Sequence, residues 1–292
     1  LYAENPETGF LPSTGRIDHF VLPESPTRVE SAIDWGVEVS SFYDPMIAKF
    51  ISHAASREAA MVRLRHACEA TEIWPVRTNA GFLARCLNNE RFEAGDLDTG
   101  LITAAGEKLT TRPAPNTNVA ASAAWAIAVG PATMPPRLSG NLALSSPWRS
   151  LEGFRLNAAA RAVVHMRDDR NARYVASPAF GSSLEHVLLK NGHAIVFVAG
   201  DVYEFTLDTG ERAEGEAAAG DGAILSPMPG KIVSVAAKQG ASVKKGDALV
   251  VLEAMKMEHT LTAPFDGKVV ELKAKTGDQV SEGVPLAKLA KH

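Results

Sequence analysis

Lys256 stands between two methionines in the run Leu252-Glu253-Ala254-Met255-Lys256-Met257-Glu258-His259. A lysine with its ordinary pKa near 10.4 is an ammonium at neutral pH, and a solvated surface group is one reading of it. Met255 and Met257 sit oddly with that reading, because isolated apolar side chains on a turn gain little from burial. Soft, adaptable methionines suit a surface that docks elsewhere. The residues alone leave both readings open. Other arrangements that do chemistry are missing from the sequence. His165, His186, His193 and His259 share no metal-site spacing with cysteines or carboxylates. No Gly-x-Ser-x-Gly elbow presents a nucleophile, and no Walker-type loop cradles a phosphate.

The position of Lys256 is set by an internal repeat. Pro227, Gly230, Lys231, Val233, Lys238, Gly240, Val243, Gly246 and Leu249 recur as Pro264, Gly267, Lys268, Val270, Lys275, Gly277, Val280, Gly283 and Leu286, each 37 residues on (264 − 227 = 37). Two copies of one strand-turn-strand unit are implied, and neither could cover its apolar face alone. They are expected to pack about a pseudo-twofold axis as a small β-sandwich closed into a flattened barrel. The glycines fall where turns between short strands need positive φ. The hairpin joining the copies must then carry Lys256 near its tip.

Upstream, the stretch from Asp208 to Gly222 holds no bulky apolar residue. It cannot bury enough surface to offset its ordering entropy and reads as a mobile linker, about fourteen residues with an r.m.s. reach of ~20 Å. Before it, an Ala-rich run from Val119 to Val129 containing Trp125 reads as a buried helix ending at Gly130-Pro131. Strand-like runs follow near 161–167, 172–177, 184–190, 193–199 and 202–207, with Asn191-Gly192 as a hairpin turn. In the first zone Ser56 can cap a helix over Arg57 to Thr71, whose Ala60, Met61, Leu64, Ala67 and Cys68 recur at helical spacing. A second helix spans Ala80 to Leu87, and turn signals such as Asn5-Pro6-Glu7-Thr8-Gly9 flank short strands.

With 292 residues, 46% hydrophobic and 22% charged, the chain has room for two or three domains and a soluble-globular composition that excludes collagen, coiled coil or wholesale disorder. A net charge of −4 advertises no polyanion-binding surface, so nucleic acid is not an expected partner. No run approaches the ~20 apolar residues of a membrane span, so no membrane partner is expected either. Cys68 and Cys86, both in helix-like stretches, fit a reducing compartment. Leu1-Tyr2-Ala3 shows neither an initiator methionine nor a leader, and the chain reads as a fragment that begins inside a domain.

Glu253-Ala254-Met255-Lys256-Met257 resembles the Ala-Met-Lys-Met motif of biotin carboxyl carrier domains, and Pro227-Met228-Pro229-Gly230, Ala263-Pro264 and Asp266-Gly267 match its supporting residues. Lipoyl domains share the repeat and the hairpin, but their lysine usually follows an acidic residue and precedes alanine. The resemblance implies biotin joined to the Lys256 amine through an amide, with Met255 and Met257 as its neighbours. The amide removes the charge and leaves a long arm ending in a ureido ring whose nitrogen can hold CO2. Tethering by a linker gives such an arm a high effective concentration at two separate sites.

The first zone is similar to the C-terminal subdomain of biotin carboxylase. The likeness rests on Leu1-Tyr2-Ala3-Glu4, Phe10-Leu11-Pro12-Ser13-Thr14-Gly15, Arg28-Val29-Glu30-Ser31, Tyr43-Asp44-Pro45-Met46-Ile47-Ala48-Lys49 and Arg77-Thr78-Asn79. It implies that Arg28 stabilises negative charge on the biotin ureido oxygen, with Tyr43, Asp44 and Lys49 structural. Pro147-Trp148 and Gly153-Phe154-Arg155-Leu156-Asn157 resemble the connecting domain of 3-methylcrotonyl-CoA carboxylase α subunits, with Phe154 where tryptophan is usual. The expected fold is multidomain, α+β and then mostly β. A biotin carboxylase C-terminal subdomain (1–107) precedes a helix-in-antiparallel-β-barrel connecting domain (112–207), a mobile linker (208–222) and a biotinyl/lipoyl-type barrel-sandwich hybrid (223–292).

The resemblance implies the biotin-carrying α subunit of an ATP-dependent acyl-CoA carboxylase, a ligase. Its substrate would be 3-methylcrotonyl-CoA, with propionyl- or acetyl-CoA as the alternative. Biotin on Lys256 would be carboxylated with ATP and bicarbonate and deliver the carboxyl group to the acyl-CoA at a carboxyltransferase β subunit, in an α6β6 hetero-oligomer. Biotin protein ligase is the other implied partner, in a bacterial cytoplasm or a mitochondrial matrix. The ATP-grasp region that would hold ATP, Mg2+ and bicarbonate is not in the sequence, so the fragment is expected neither to bind them nor to carboxylate biotin alone. A non-catalytic carrier and assembly module is the alternative if the chain is complete.

Overall fold

The computed structural model describes residues 1–24, 27–31, 33–129, 163–178, 186–209, 222–254 and 257–291. Its N-terminal unit is built on four two-stranded antiparallel ribbons. They pair β1 (Glu4–Asn5) with β2 (Leu11–Pro12), β3 (Gly15–Arg16) with β6 (Glu38–Val39), β4 (His19–Val21) with β8 (Glu72–Trp74), and β5 (Arg28–Ser31) with β7 (Ala48–Ile51). Ile17, Ile47, Ile73 and Ala80 meet in the core between them. Helix α1 (Arg57–Glu69) starts where the Ser56 hydroxyl accepts from the Ala59 amide. It stops short of Thr71 because Ala70 leaves helical dihedrals and the Thr71 hydroxyl donates back to the Ala67 carbonyl. Helix α2 (Ala80–Leu87) occupies the expected residues and packs Ala84 and Leu87 against Cys68 of α1. Three helices unforeseen from the sequence follow: α3 (Glu90–Ala94), α4 (Leu101–Ala105) and α5 (Glu107–Thr110). Each is too short for an apolar stripe to repeat.

The middle unit is a helix wrapped by a sheet. Helix α6 (Thr117–Val129) begins before Val119 because the Asn116 side chain accepts from the Val119 amide and caps it. The strands are β9 (Val164–Asp168), β10 (Arg173–Ala176), β11 (Val187–Lys190), β12 (His193–Val198) and β13 (Asp201–Leu207), antiparallel in the order β10-β9-β13-β12-β11. Asn191 and Gly192, both with positive φ, turn the chain between β11 and β12. All five strands touch α6, and Trp125 and Ala123 meet Met166, Val196, Tyr203 and Phe205 in its core. The expected barrel is, among the described residues, a curled sheet with β10 and β11 at its edges. Trp148 and Phe154 lie outside the described residues.

Strand β12 is a continuous apolar run, Ala194-Ile195-Val196-Phe197, because both of its faces are covered. Val196 faces α6, while Phe197 stacks on His19 of the N-terminal unit with ring centroids 4.9 Å apart. At the β12–β13 turn, a Cβ on Gly200 would come within 2.7 Å of the Cys68 carbonyl. Only glycine lets the turn seat there, and its φ of +79° also favours glycine. Polar contacts complete this seam: the Trp74 indole donates to Glu204, Lys190 pairs with Asp18, and Glu72 accepts from both His19 and His186 at 2.8 Å.

The C-terminal unit is two four-stranded sheets, β14-β21-β19-β16 and β18-β17-β15-β20. The strands are β14 (Ala223–Leu225), β15 (Gly230–Val235), β16 (Ser242–Val243), β17 (Ala248–Ala254), β18 (Met257–Thr262), β19 (Gly267–Leu272), β20 (Gln279–Val280) and β21 (Pro285–Lys291). Adding 37 carries β15 onto β19 (230 + 37 = 267), β16 onto β20 (242 + 37 = 279) and β17 onto β21 (248 + 37 = 285). One sheet is thereby carried onto the other, which is the expected pseudo-twofold. Met228, Ile232, Leu249, Leu252, Val269, Leu286 and Leu289 fill the space between the sheets. Residues 210–221 of the expected linker lie outside the described residues. Of its ends, Asp208 is tied to Arg167 and Arg173 of the middle unit, and the Gly222 carbonyl accepts from the Leu289 amide.

Candidate functional site

Strands β17 and β18 pair in register through Val251↔Thr260, Leu252↔His259, Glu253↔Glu258 and Ala254↔Met257. Only Met255 and Lys256 remain to join them. Both lie outside the described residues, as does the side chain of Met257. What the structure shows is the mount beneath them. Leu252 is fully buried and Ala254 nearly so, which fixes the β17 end of the hairpin in the core. Strand β15 comes in close alongside: a Cβ on Gly230 would meet the Glu253 carbonyl at 2.6 Å. That requirement accounts for the glycine of Pro227-Met228-Pro229-Gly230, while Met228 plugs the core and the Ser226 hydroxyl donates to its carbonyl at 2.7 Å.

The electrostatics at this end of the sheet are uneven. Glu253 and Glu258 are exposed and directly opposite each other, an arrangement that costs a strand pair stability. Lys231 is opposite Glu253 on the other side and offsets it. His259 faces inward, its Nε2 buried with no partner among the described residues, and burial lowers its pKa. Burial disfavours the charged imidazolium at this position. The mount can thus present a two-residue turn between acidic flanks. A primary amine at such a turn can carry an amide-linked group without rearranging the core.

Arg28 is placed elsewhere. It opens β5, with its side chain 71% exposed and its Nε 2.5 Å from Glu30 Oε1. Across the ribbon, Glu30 is opposite Lys49 and Arg28 opposite Ile51. Val29 packs on the core, while Arg28, Glu30 and Ser31 are exposed and the Ser31 hydroxyl donates to the Ile47 carbonyl. Tyr43, expected to be structural, is 76% exposed, and with Phe42 at 73% it leaves an apolar surface on this unit. The contacts recorded for Arg28 stay within its own unit, and none joins it to the β17–β18 hairpin.

Two of the other histidines singled out in the sequence, His186 and His193, have partners the sequence did not suggest. His186 shares Glu72 with His19, and His193 is 2.5 Å from Glu204. Sequence reasoning also missed a cluster of arginines along the seam, Arg77, Arg85, Arg112 and Arg170, scattered over 94 positions (170 − 77 = 93 steps) and so invisible as a motif.

Residues 1–104 match the family described as Biotin carboxylase C-terminal domain, and residues 222–289 match the family described as Biotin-requiring enzyme. The mitochondrial methylcrotonoyl-CoA carboxylase subunit alpha of Dictyostelium discoideum is 32% identical, over 89% of this chain and 44% of its own length. The propionyl-CoA carboxylase alpha chain of Ruegeria pomeroyi is 28% identical, over 89% of this chain and 46% of its own. The biotin carboxylase of Halalkalibacterium halodurans is 43% identical over 104 residues, 35% of this chain and 23% of its own. The chain therefore spans less than half the length of these curated relatives.

Proposed function

From the premise that the chain is built of domains of the biotin-dependent carboxylases, we propose that it is the carrier-bearing part of an acyl-CoA carboxylase α subunit, with Lys256 as the attachment residue. The observation that carries this reading is the Ala254↔Met257 register, which leaves Lys256 one of only two residues in the turn. Biotin, amide-linked to the Lys256 amine, would supply a ureido nitrogen that holds a carboxyl group between two active sites. The chain's own residues do the presenting. Leu252 and Ala254 fix the turn, Gly230 admits the supporting strand, and Met255 and Met257 flank the arm where it meets a docking surface.

Arg28, exposed on β5 and paired there with Glu30, is the residue we assign to charge stabilisation at the ureido oxygen in the intact subunit. A carboxyltransferase partner would take the carboxyl group, and the identity of the acyl-CoA follows that partner. 3-Methylcrotonyl-CoA is favoured by the methylcrotonoyl-CoA carboxylase relatives, and propionyl-CoA is the second reading because a propionyl-CoA carboxylase chain aligns over the same share of this one. The attachment is tested by co-expression with a biotin protein ligase and intact-mass measurement. The wild-type chain gains one biotinyl group and Lys256→Ala none; an unmodified wild-type chain overturns the assignment.

A further inference from the structure

Where the N-terminal unit meets the curled sheet, a cavity of about 240 Å³ is lined by four arginines, Arg77, Arg85, Arg112 and Arg170. The carboxylates lining it are three: Glu7, Asp169 and Asp201. Each is already engaged. Asp169 accepts from Arg77 at 2.5 Å and from Arg112 at 2.8 Å, Asp201 accepts from Arg85 at 2.6 Å, and Glu7 from Arg170. Four guanidinium groups against three carboxylates give the lining itself a net positive charge.

That imbalance is costly where water is scarce. Arg112 is only 6% exposed, and its buried Nε has no hydrogen-bond partner among the described residues. The Tyr203 ring, 4.6 Å from the guanidinium carbon, compensates only in part. Asp169 and the Val202 carbonyl engage the two terminal nitrogens of Arg112, so its Nε is the donor that the lining leaves unsatisfied. Unspent donors remain as well: Arg85 Nη2 and Arg170 Nη1 make no hydrogen bond to described residues, while Arg85 Nε and Nη1 and Arg170 Nη2 do. Arg85 comes from α2 and Arg170 from the turn between β9 and β10, so the two approach from opposite sides of the seam.

We propose that this cavity is a binding site for a small oxyanion of the phosphate class, held by Arg85 and Arg170 and offsetting the net positive charge of the lining. The bound oxyanion bridges the two units. The same chemistry is offered by inorganic phosphate and by the phosphate group of a small ester, and two probes separate these sources.

The experiment is calorimetric titration and thermal unfolding of the 292-residue chain with inorganic phosphate, against chloride at equal ionic strength, and then with glycerol 3-phosphate. Saturable binding of one phosphate per chain, with unfolding shifted upward beyond the chloride control, is expected. Arg170→Lys and Arg85→Lys keep the charge but lose the forked donor, and each weakens binding about tenfold. A 31P NMR titration of the wild-type chain gives the answer even if both variants unfold. Preference for either probe supports the site and names its source. Phosphate acting no differently from chloride on the wild-type chain, or binding undiminished in well-folded variants, overturns it.

Discussion

The Asp201 carboxylate lies against Gly81 so closely that a Cβ on that glycine would overlap it. Asp201 belongs to the curled sheet and Gly81 to α2, so the missing methyl group is what lets the two units close. In an isolated helix, Gly→Ala is worth up to about 1 kcal/mol in the stabilising direction. Here Asp201 would have to leave Arg85, and Gly81→Ala is expected to destabilise by about 1–3 kcal/mol. Urea unfolding decides it by sign, and a stabilised variant would mean that the seam tolerates separation.

Gly246 and Gly283 are related by the repeat and have φ of +93° and +77°, with open space where a Cβ would go. Substitution by alanine at either costs only backbone strain, about 1–2 kcal/mol. Because the turns are equivalent, the two losses are expected to agree within error. Chemical denaturation of the two variants tests this, and losses differing severalfold would break the equivalence.

Glu72 couples the units through charge. Burial pushes its carboxyl up, but hydrogen bonds from His19 and His186 outweigh burial and hold it below the ordinary 4.5. An acid with a depressed folded pKa stabilises the fold above its unfolded value and loses that contribution as pH falls through the folded one. Asp169 behaves likewise, burial again opposed by Arg112 and Arg77, whereas Asp201 is pushed up by burial and acts in the opposite sense. Glu72→Gln is expected to shrink the loss of stability on acidification below about pH 5. An unchanged pH profile of the unfolding midpoint would contradict this.

Both thiols are sheltered. Burial pushes Cys68 up to about 12 and Cys86 to about 11. Neither forms appreciable thiolate at pH 8, so maleimide labelling of the native chain is expected to be slow and to become rapid only on unfolding. Fast native labelling at either position would contradict the packing of α1 on α2.

The readable parts of the chain were those where a pattern repeats locally. Helix α2 shows its apolar face within eight residues, and the 37-residue repeat announces both sheets of the C-terminal unit because glycines at its turns cannot be replaced without strain. Ser56 marks a helix start because its cap bond is local. The seam was not readable, since Arg85 meets Asp201 and Arg112 meets Asp169 across 116 and 57 positions. Nothing in the local sequence distinguishes such arginines from solvated ones. The curled sheet lay between these cases: its strands and turn were legible, but the double burial of β12 followed only from the unit packed behind it.

The pairing pattern of the C-terminal unit has a mechanical consequence. Strand β15 begins beside Glu253 and β20, and its symmetry mate β19 begins beside Ala290 and β16. Strands β17 and β21 therefore run in opposite senses, one towards the lysine turn and the other away from it, with Gly222 held beside Leu289. The chain enters at the pole opposite the Ala254–Met257 end of the β17–β18 hairpin. At about 3.3 Å per residue, the seven-residue strand alone makes the unit a stiff lever of roughly 20 Å. Whatever swing the entering segment allows is carried through that length, so a small rotation at Gly222 sweeps the Ala254–Met257 end of the hairpin through a wider arc.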